Sequence, residues 1–560
     1  MNTLHKLLQI FFSMSRREKG VVFLLVIGLG ASLTIFLVGS IHFPPRLEKG
    51  TFSEGIVGRI RTINPLFVDF NEADRDLSML VFSGLIRYDP TQRNFFPDLA
   101  VTFDRSGNGL TYTFVLRSDA LWHDGKPVTV DDLLFTFKDV IQDPGFHNPI
   151  LKNAFEGVKI EKTGVQTIVF TLPKANSYFP SNLTVGILPK HLLENTPIAN
   201  FEKSAFGLHP IGSGPYLITT LKLDSDGDRI DLSAFPQYYG EKPKISRVRF
   251  FTFPDEEGLI DERGALHALG KLSLDGAKTM GTDDRFSLSN YSLNQFTALF
   301  FNTDNPLVKD KRIRQALRLG LNRNELLLPG EKRVDNLDLA DHSNEAPYGF
   351  SIDTANKALD SLGWKRQANG FRTNNKGEPV ILTLLTSTKI PLKLSEKIKQ
   401  QWEALGIQVT VDRPEPEEFS NLVSERRYHV LLIRQNLGYN RDVYSLFHSS
   451  QRSAPEAGGP SGLNFSQFRS FQTDGLTEAM RREKDPQDKQ KLLDQLSKTL
   501  AEETPVVFLS TPVYSYALDK RIQPFPETAV LDFHADRLRI LPYLSFPSLD
   551  KLRTSGEEKE

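Results

Sequence analysis

His123 and Asp124 stand side by side within Leu121–Pro144, and Asp131 and Asp132 follow a short turn later. Clustered His and Asp side chains bind metals or move protons, so this stretch is the first candidate for a reactive centre. Metal ligation needs further donors at ligand spacing, and the only other histidine nearby is His147, beyond a predicted helix. The neighbouring residues give the cluster a structural job. Gly125-Lys126-Pro127 reads as a turn. Thr129 followed by Asp132 fits a capping box, in which the hydroxyl accepts from an early helix N–H while the carboxylate reaches back. Asp131 and Asp132 also lie where the positive end of a helix dipole stabilises an acid. Leu133, Leu134, Phe137 and Val140 then share one helical face. The cluster reads as turn and cap chemistry, with metal or acid–base work as the alternative.

The other chemical motifs are weaker. Ser213 lies in Ile211-Gly212-Ser213-Gly214-Pro215, where Ile211 and Pro215 replace the glycines a nucleophile elbow needs. No Walker A, HExxH or Gly-rich dinucleotide loop occurs. There is no cysteine, which excludes disulfides, thiolate catalysis, Cys-based zinc sites and lipid attachment through an N-terminal cysteine. An enzyme is therefore not expected, and neither a metal nor a cofactor is called for. Basic and acidic residues number 68 and 69, leaving a net charge of −1. That balance gives no electrostatic reason to expect a nucleic-acid partner.

The 560 residues suffice for several cores. Gly20–Phe43 carries no formal charge and is long enough to cross a hydrocarbon layer of roughly 30 Å as a helix. Lys6, Arg16, Arg17 and Lys19 precede it, so 1–20 is expected in the cytoplasm, 21–43 as a transmembrane anchor and the body outside. A cleaved signal is the second reading, because Val38-Gly39-Ser40 is a poor version of a cleavage site. A buried soluble helix is the third. Beyond Pro44-Pro45 the text alternates between strands and helices. Gly109–Arg117 alternates like a half-buried strand, and Ala298–Asp304 reads as a buried one. Asp310–Arg323, with Asp310 as N-cap, and Asp353–Trp364, closed by Gly363, read as helices. Leu394–Arg413 reads as a helix, a stop at Gly406 and an alternating strand. Leu476–Glu503 has helical spacing, Pro505–Leu518 returns to strands, and 548–560 is expected to be disordered.

The order of these blocks resembles the bacterial extracellular solute-binding proteins that serve peptide and nickel ABC transporters. Ile63–Phe67, Leu80–Pro90, Phe95–Ala100, the strand–turn–helix around His123, Ile211–Ile218, Phe235–Phe250 and Leu299–Arg323 succeed one another as in that family. The resemblance implies a mixed α/β fold of the type II periplasmic-binding-protein kind, with two main lobes and an inserted third subdomain. By analogy the first lobe is discontinuous over 51–89, 205–298 and 504–547. The insertion covers 90–204, and the second lobe covers 299–503. It implies a monomer that closes on a peptide by β-augmentation and delivers it to a membrane permease and its ATPases. Alternatives are a receptor of the same fold for a metal chelate, haem or sugar oligomer, or an envelope chaperone or sensor.

Residue by residue, the resemblance places a first contact strand at Leu80–Leu85. There Ser83 occupies a commonly acidic position before Gly84. A second contact stretch falls at Leu431–Asp442, with Arg434, Asn436, Gly438 and Tyr439 facing the ligand. Many peptide binders of the family carry an aspartate directly before that tyrosine, paired with the ligand's α-ammonium, and here the position is Gly438. Asp442 could substitute if its loop folds back; otherwise it is a solvated loop acid.

Overall fold

The computed structural model describes residues 50–546 together with Ser15 and Leu47, apart from 69–70, 90–91, 93, 338–348, 440, 453–461 and 523–530. The anchor expected over 21–43 and the tail at 548–560 lie outside the described residues. Among the described residues, no helix is long and apolar enough to cross a membrane.

The body opens with β1 (Thr51–Val57) and α1 (Glu72–Val81), followed by a hairpin of β2 (Ile86–Asp89) and β3 (Asn94–Pro97). A small antiparallel sheet comes next, made of β4 (Ala100–Arg105), β5 (Thr111–Leu116), β6 (Lys159–Lys162) and β7 (Thr167–Thr171) in the order β4-β5-β7-β6. The alternation read at Gly109–Arg117 is β5, whose buried members are Tyr112, Phe114 and Leu116. Between β5 and β6 lies the stretch around His123. Its helix starts at Thr129 as α2 (Val130–Leu134) but continues as a π-turn over Phe135–Val140. The carboxylate of Asp132 reaches back to the Thr129 N–H at 2.8 Å, as a capping box requires. The Thr129 hydroxyl, however, also donates to that carboxylate, at 3.0 Å. Thr136 explains the wider turn. Its hydroxyl donates to the Asp132 carbonyl and accepts the Leu188 N–H, both at 2.8 Å, drawing a second segment against the helix.

The large sheet is built from β1 and later strands. They are β8 (Tyr216–Lys222), β9 (Arg229–Ala234), β10 (Arg247–Phe253), β11 (Ala268–Leu272), β12 (Phe286–Ser292) and β13 (Gln295–Phe301). After β14 (Glu331–Arg333) and a hairpin of β15 (Lys365–Arg366) and β16 (Arg372–Thr373) come β17 (Ile381–Thr386), β18 (Gln408–Asp412), β19 (Val430–Asn436) and β20 (Val506–Asp519). The strand order is β18-β17-β19-β13-β20-β11-β1-β10-β9-β8, with β12 and β14 also on β20. Parallel pairs (β1–β10, β1–β11, β17–β18, β17–β19) mix with antiparallel ones. Two antiparallel runs cross the middle. β20 pairs with β13 through Val506–Ser510 and with β12 through Val513–Asp519, and β12 leads into β13 through Leu293-Asn294.

The cores sit on either side of this crossing. Phe137, Phe155, Phe170 and Phe179 pack with ring centroids 5.3–6.4 Å apart, in one cluster that also holds Phe52, Val248 and Phe250. The small sheet thus shares a core with the first half of the large one. In the other half β13 is buried on both faces: Leu299 and Phe301 join one cluster, and Phe296, Ala298 and Phe300 another. The buried strand expected at Ala298–Asp304 begins earlier and ends at Phe301.

Helix α3 (Lys311–Leu319) starts at Asp310, whose side chain accepts the Arg312 N–H at 2.9 Å. Helix α4 (Ile352–Ser361) is capped two residues before Asp353, by Ser351, and Gly363 follows it at φ +86°. Helix α5 (Leu392–Ala404) ends before Gly406 at φ +82°, as its sequence predicts. The helical stretch expected over Leu476–Glu503 is two helices, α6 (Phe471–Arg482) and α7 (Pro486–Glu503). Pro486 has no N–H to continue a helix, and Asp485 caps the new start by accepting from Gln487 and Asp488.

Candidate ligand-binding cleft

A cavity of about 2040 Å³ opens between the two halves. Small-molecule sites are roughly 300–1,000 Å³, so this one has room for an extended oligomer and water. Seven of the chain's 14 tyrosines line it: Tyr238, Tyr239, Tyr291, Tyr439, Tyr514, Tyr516 and Tyr543. Such rings offer an apolar face and a hydroxyl at once, which suits varied side chains.

One wall is formed where α1 ends: the contact strand expected at Leu80–Leu85 is instead the last residues of α1 and the irregular link that follows it, with the strand β2 starting only at Ile86. Ser83 and Gly84 line the cavity, but their carbonyls are occupied. Ser83 accepts the Ile187 N–H and Gly84 the Leu99 N–H, each at 3.1 Å. A Cβ on Gly84 would lie 2.7 Å from the Thr184 carbonyl oxygen, so glycine is what allows this close approach. The Tyr239 hydroxyl lies 2.8 Å from Ser83 Oγ and donates to Asp98. Burial pushes the Asp98 carboxyl above its usual range, against the pull of that hydrogen bond and of Arg87, Arg539 and Arg117.

The opposite wall is the end of β19. Arg434 faces Thr297 across β13 and bonds its hydroxyl at 3.0 Å, while its outer nitrogen meets the buried Glu331 at 2.8 Å. Asn436 is exposed, and its Oδ1 accepts the Gly438 N–H at 2.8 Å. Gly438 holds φ +54°, and a side chain there would run into the ring of Phe533. Tyr439 packs at 4.6 Å against Tyr88 with the rings tilted by 34°, meets Phe533 edge-on at 4.8 Å and donates to Asp536. Arg539 donates to the same phenol at 2.9 Å. Burial, followed by the charge of Asp536, raises the Tyr439 phenol well above its ordinary value despite Arg539.

Asp442 also lines the cavity, yet it is not a solvated loop acid. Its side chain is 6% exposed and lies 2.6 Å from Arg481 on α6, and it accepts the Tyr444 N–H at 3.1 Å. Arg481 in turn lies over the Tyr444 ring at 3.5 Å. The structure therefore gathers all seven residues carried over from the resemblance around one cavity, but Gly438 and Asp442 offer it no uncommitted acid.

Local sequence gave no sign of Phe533, Asp98, Tyr239 or Gln295. Phe533 and Tyr239 arrive from distant segments, and Gln295 is a single polar residue at the head of an apolar strand. Outside the cleft, His123 is neutral and structural. Its Nε2 donates to the Gly214 carbonyl at 3.0 Å, its Nδ1 accepts the Gly212 N–H at 3.3 Å, and Phe235 packs edge-on at 4.9 Å. Asp124 turns away to His191 at 2.8 Å. The described residues contain no group of three or more His, Cys, Asp or Glu that could hold a metal.

Comparison with known proteins agrees with this architecture. The oligopeptide-binding protein AppA of Bacillus subtilis (strain 168) is 25% identical over 505 residues, 85% of this chain and 89% of that protein. Among solved structures, NikZ from Campylobacter jejuni in complex with Ni(L-His) aligns with a TM-score of 0.71 at 25% identity, covering 89% of this chain and all of that one. AppA from Bacillus subtilis in complex with a nonapeptide aligns with a TM-score of 0.70 at 23% identity, covering 90% of this chain and all of that one. These neighbours share the mixed α/β periplasmic-binding-protein-like fold. Residues 94–455 match the middle region of the bacterial extracellular solute-binding proteins, family 5, and the chain belongs to that family.

Proposed function

We propose that this protein is a membrane-tethered, extracytoplasmic substrate-binding component of an ABC importer, capturing peptides between two closing lobes and delivering them to a permease and its ATPases. The carrying observation is the cleft: about 2040 Å³, bordered by the end of α1 on one side and by β19 on the other, with two strand runs crossing beneath. The first lobe comprises 51–89, 205–298 and 504–547, the insertion 90–204 and the second lobe 299–503. Ser83, Gly84, Arg434, Asn436 and Tyr439 are its ligand-facing residues, whereas Asp442 braces α6. The likeness to AppA favours peptides. The uncharged stretch Gly20–Phe43 supports tethering, which would raise the binder's effective concentration beside its permease. One such chain acts as a monomer.

Mass spectrometry of whatever acid releases from the purified full-length protein tests this reading. Intact peptides of mixed sequence are expected. A uniform metal chelate or sugar acid in their place would move the protein to the non-peptide branch of the family. Resistance to carbonate extraction is expected of the tether, and a mature chain beginning after Ser40 would contradict it.

A further inference from the structure

The groups facing the cleft are arranged to receive hydrogen-bond acceptors, not a cation. Glu72, Asp89, Asp98, Asp442 and Asp536 all line it, and each already has a partner within the protein. Glu72 is paired with Lys271, Asp89 accepts the Gln92 N–H, and Asp98 accepts from Tyr239. Asp442 is paired with Arg481, and Asp536 with Arg539. Glu241 is exposed and makes no hydrogen bond or ion pair among the described residues.

Gln295 is the opposite case. Its side chain lines the same cavity at 6% exposure, and its Nε2 has no acceptor among the described residues. A buried donor left unmade is costly, so this amide is poised for an acceptor from outside the chain. Across the β13–β19 ladder Gln295 sits opposite Asn436. Asn436 uses its Oδ1 on the Gly438 N–H, which leaves its Nδ2 as a second donor at the same wall. Arg434, two residues along β19, adds a guanidinium whose Nε and one outer nitrogen are already bonded to Thr297 and Glu331. A free ammonium brought to this wall would lose its water and approach Arg434, and among the described lining acids only Glu241 is without a partner to meet it.

We propose that this wall, resting on the peptide-binding reading above, takes the acyl oxygen of a peptide whose amino terminus is blocked, with Gln295 and Asn436 as its donors. Ligands with a free α-ammonium are disfavoured. Gln295 is then the residue that sets end-group specificity.

The test offers full-length protein in detergent a mixture of random-sequence nonapeptides, half free-amine and half N-acetylated, and counts retained peptides by mass spectrometry. The wild type is expected to retain the acetylated set in excess, by about 3- to 10-fold for a hydrogen bond of ordinary strength. Gln295→Glu is expected to invert that preference. Asn436→Asp, at an exposed position and still able to accept the Gly438 N–H, is expected to shift it the same way, which guards against a misfolded Gln295 variant. Excess retention of free-amine peptides by the wild type overturns the inference but leaves peptide binding intact. Loss of that excess in Glu241→Gln would identify the acid responsible. Retention of neither set overturns peptide binding itself, and the inference with it.

Discussion

Gly438 shows how a single position can decide what a cleft recognises. Its φ of +54° and the Phe533 ring against it leave no space for a side chain. Gly438→Asp should therefore lower stability by about 1–3 kcal/mol through strain and displacement of Phe533, without creating affinity for free amines. Thermal melting and the peptide mixture read the two effects separately; a stable variant with new free-amine affinity would contradict the geometry. His123 makes a second residue-level case. Burial holds its imidazole down to about 4, against hydrogen bonding to Gly214 and the charge of Asp124. An unfolded histidine titrates near 6.5, so between these values the unfolded chain binds the extra proton. Stability is thus full above about 6.5 and is lost as pH falls toward 4, by up to about 3 kcal/mol. Denaturant titrations should show a steeper loss for wild type than for His123→Gln over this range. Parallel curves would contradict a buried neutral imidazole. The sequence showed His123 as a turn residue, but its clasp on Gly212 and Gly214 depends on a loop about 90 residues away that no local pattern joins to it.

At the scale of elements, periodicity and caps were largely readable. The Gly363 and Gly406 stops and the Asp310 cap fall where expected, because these signals are local and glycine alone adopts φ near +80° at little cost. Local signals failed where tertiary partners intervene. The helix after Thr129 widens because Thr136 also serves Leu188, and the long α6–α7 pattern hid a break at Pro486 that periodicity alone passes over. Asp132 carries more of the first junction than Thr129. It is buried, holds the Thr129 N–H and hydroxyl, and takes the Lys190 N–H at 2.9 Å. Thr129→Ala should cost about 1 kcal/mol, as for an N-cap, and Asp132→Ala about 2–3 kcal/mol, since hydrogen bonds to a charged acceptor are worth more. Urea denaturation compares them; equal losses would mean that the hydroxyl, not the carboxylate, fixes this turn.

For the molecule as a whole, the block order pointed to the family, while the contents of the cleft were not readable from it. A family pattern fixes which strands meet but not which acids are already paired, as Asp442 with Arg481 shows. Ligand binding is expected to close the two halves about the crossing runs β12–β13 and β20. Because the chain has no cysteine, two can be introduced and spin-labelled alone, at Glu241 on one side of the cleft and Ser420 on the other. Double electron–electron resonance then measures the distance between them in full-length protein, first stripped of ligand and then saturated with the peptides eluted from it. A broad or longer distribution is expected when stripped, and a single narrower, shorter one when saturated. An identical distribution in both states would contradict closure.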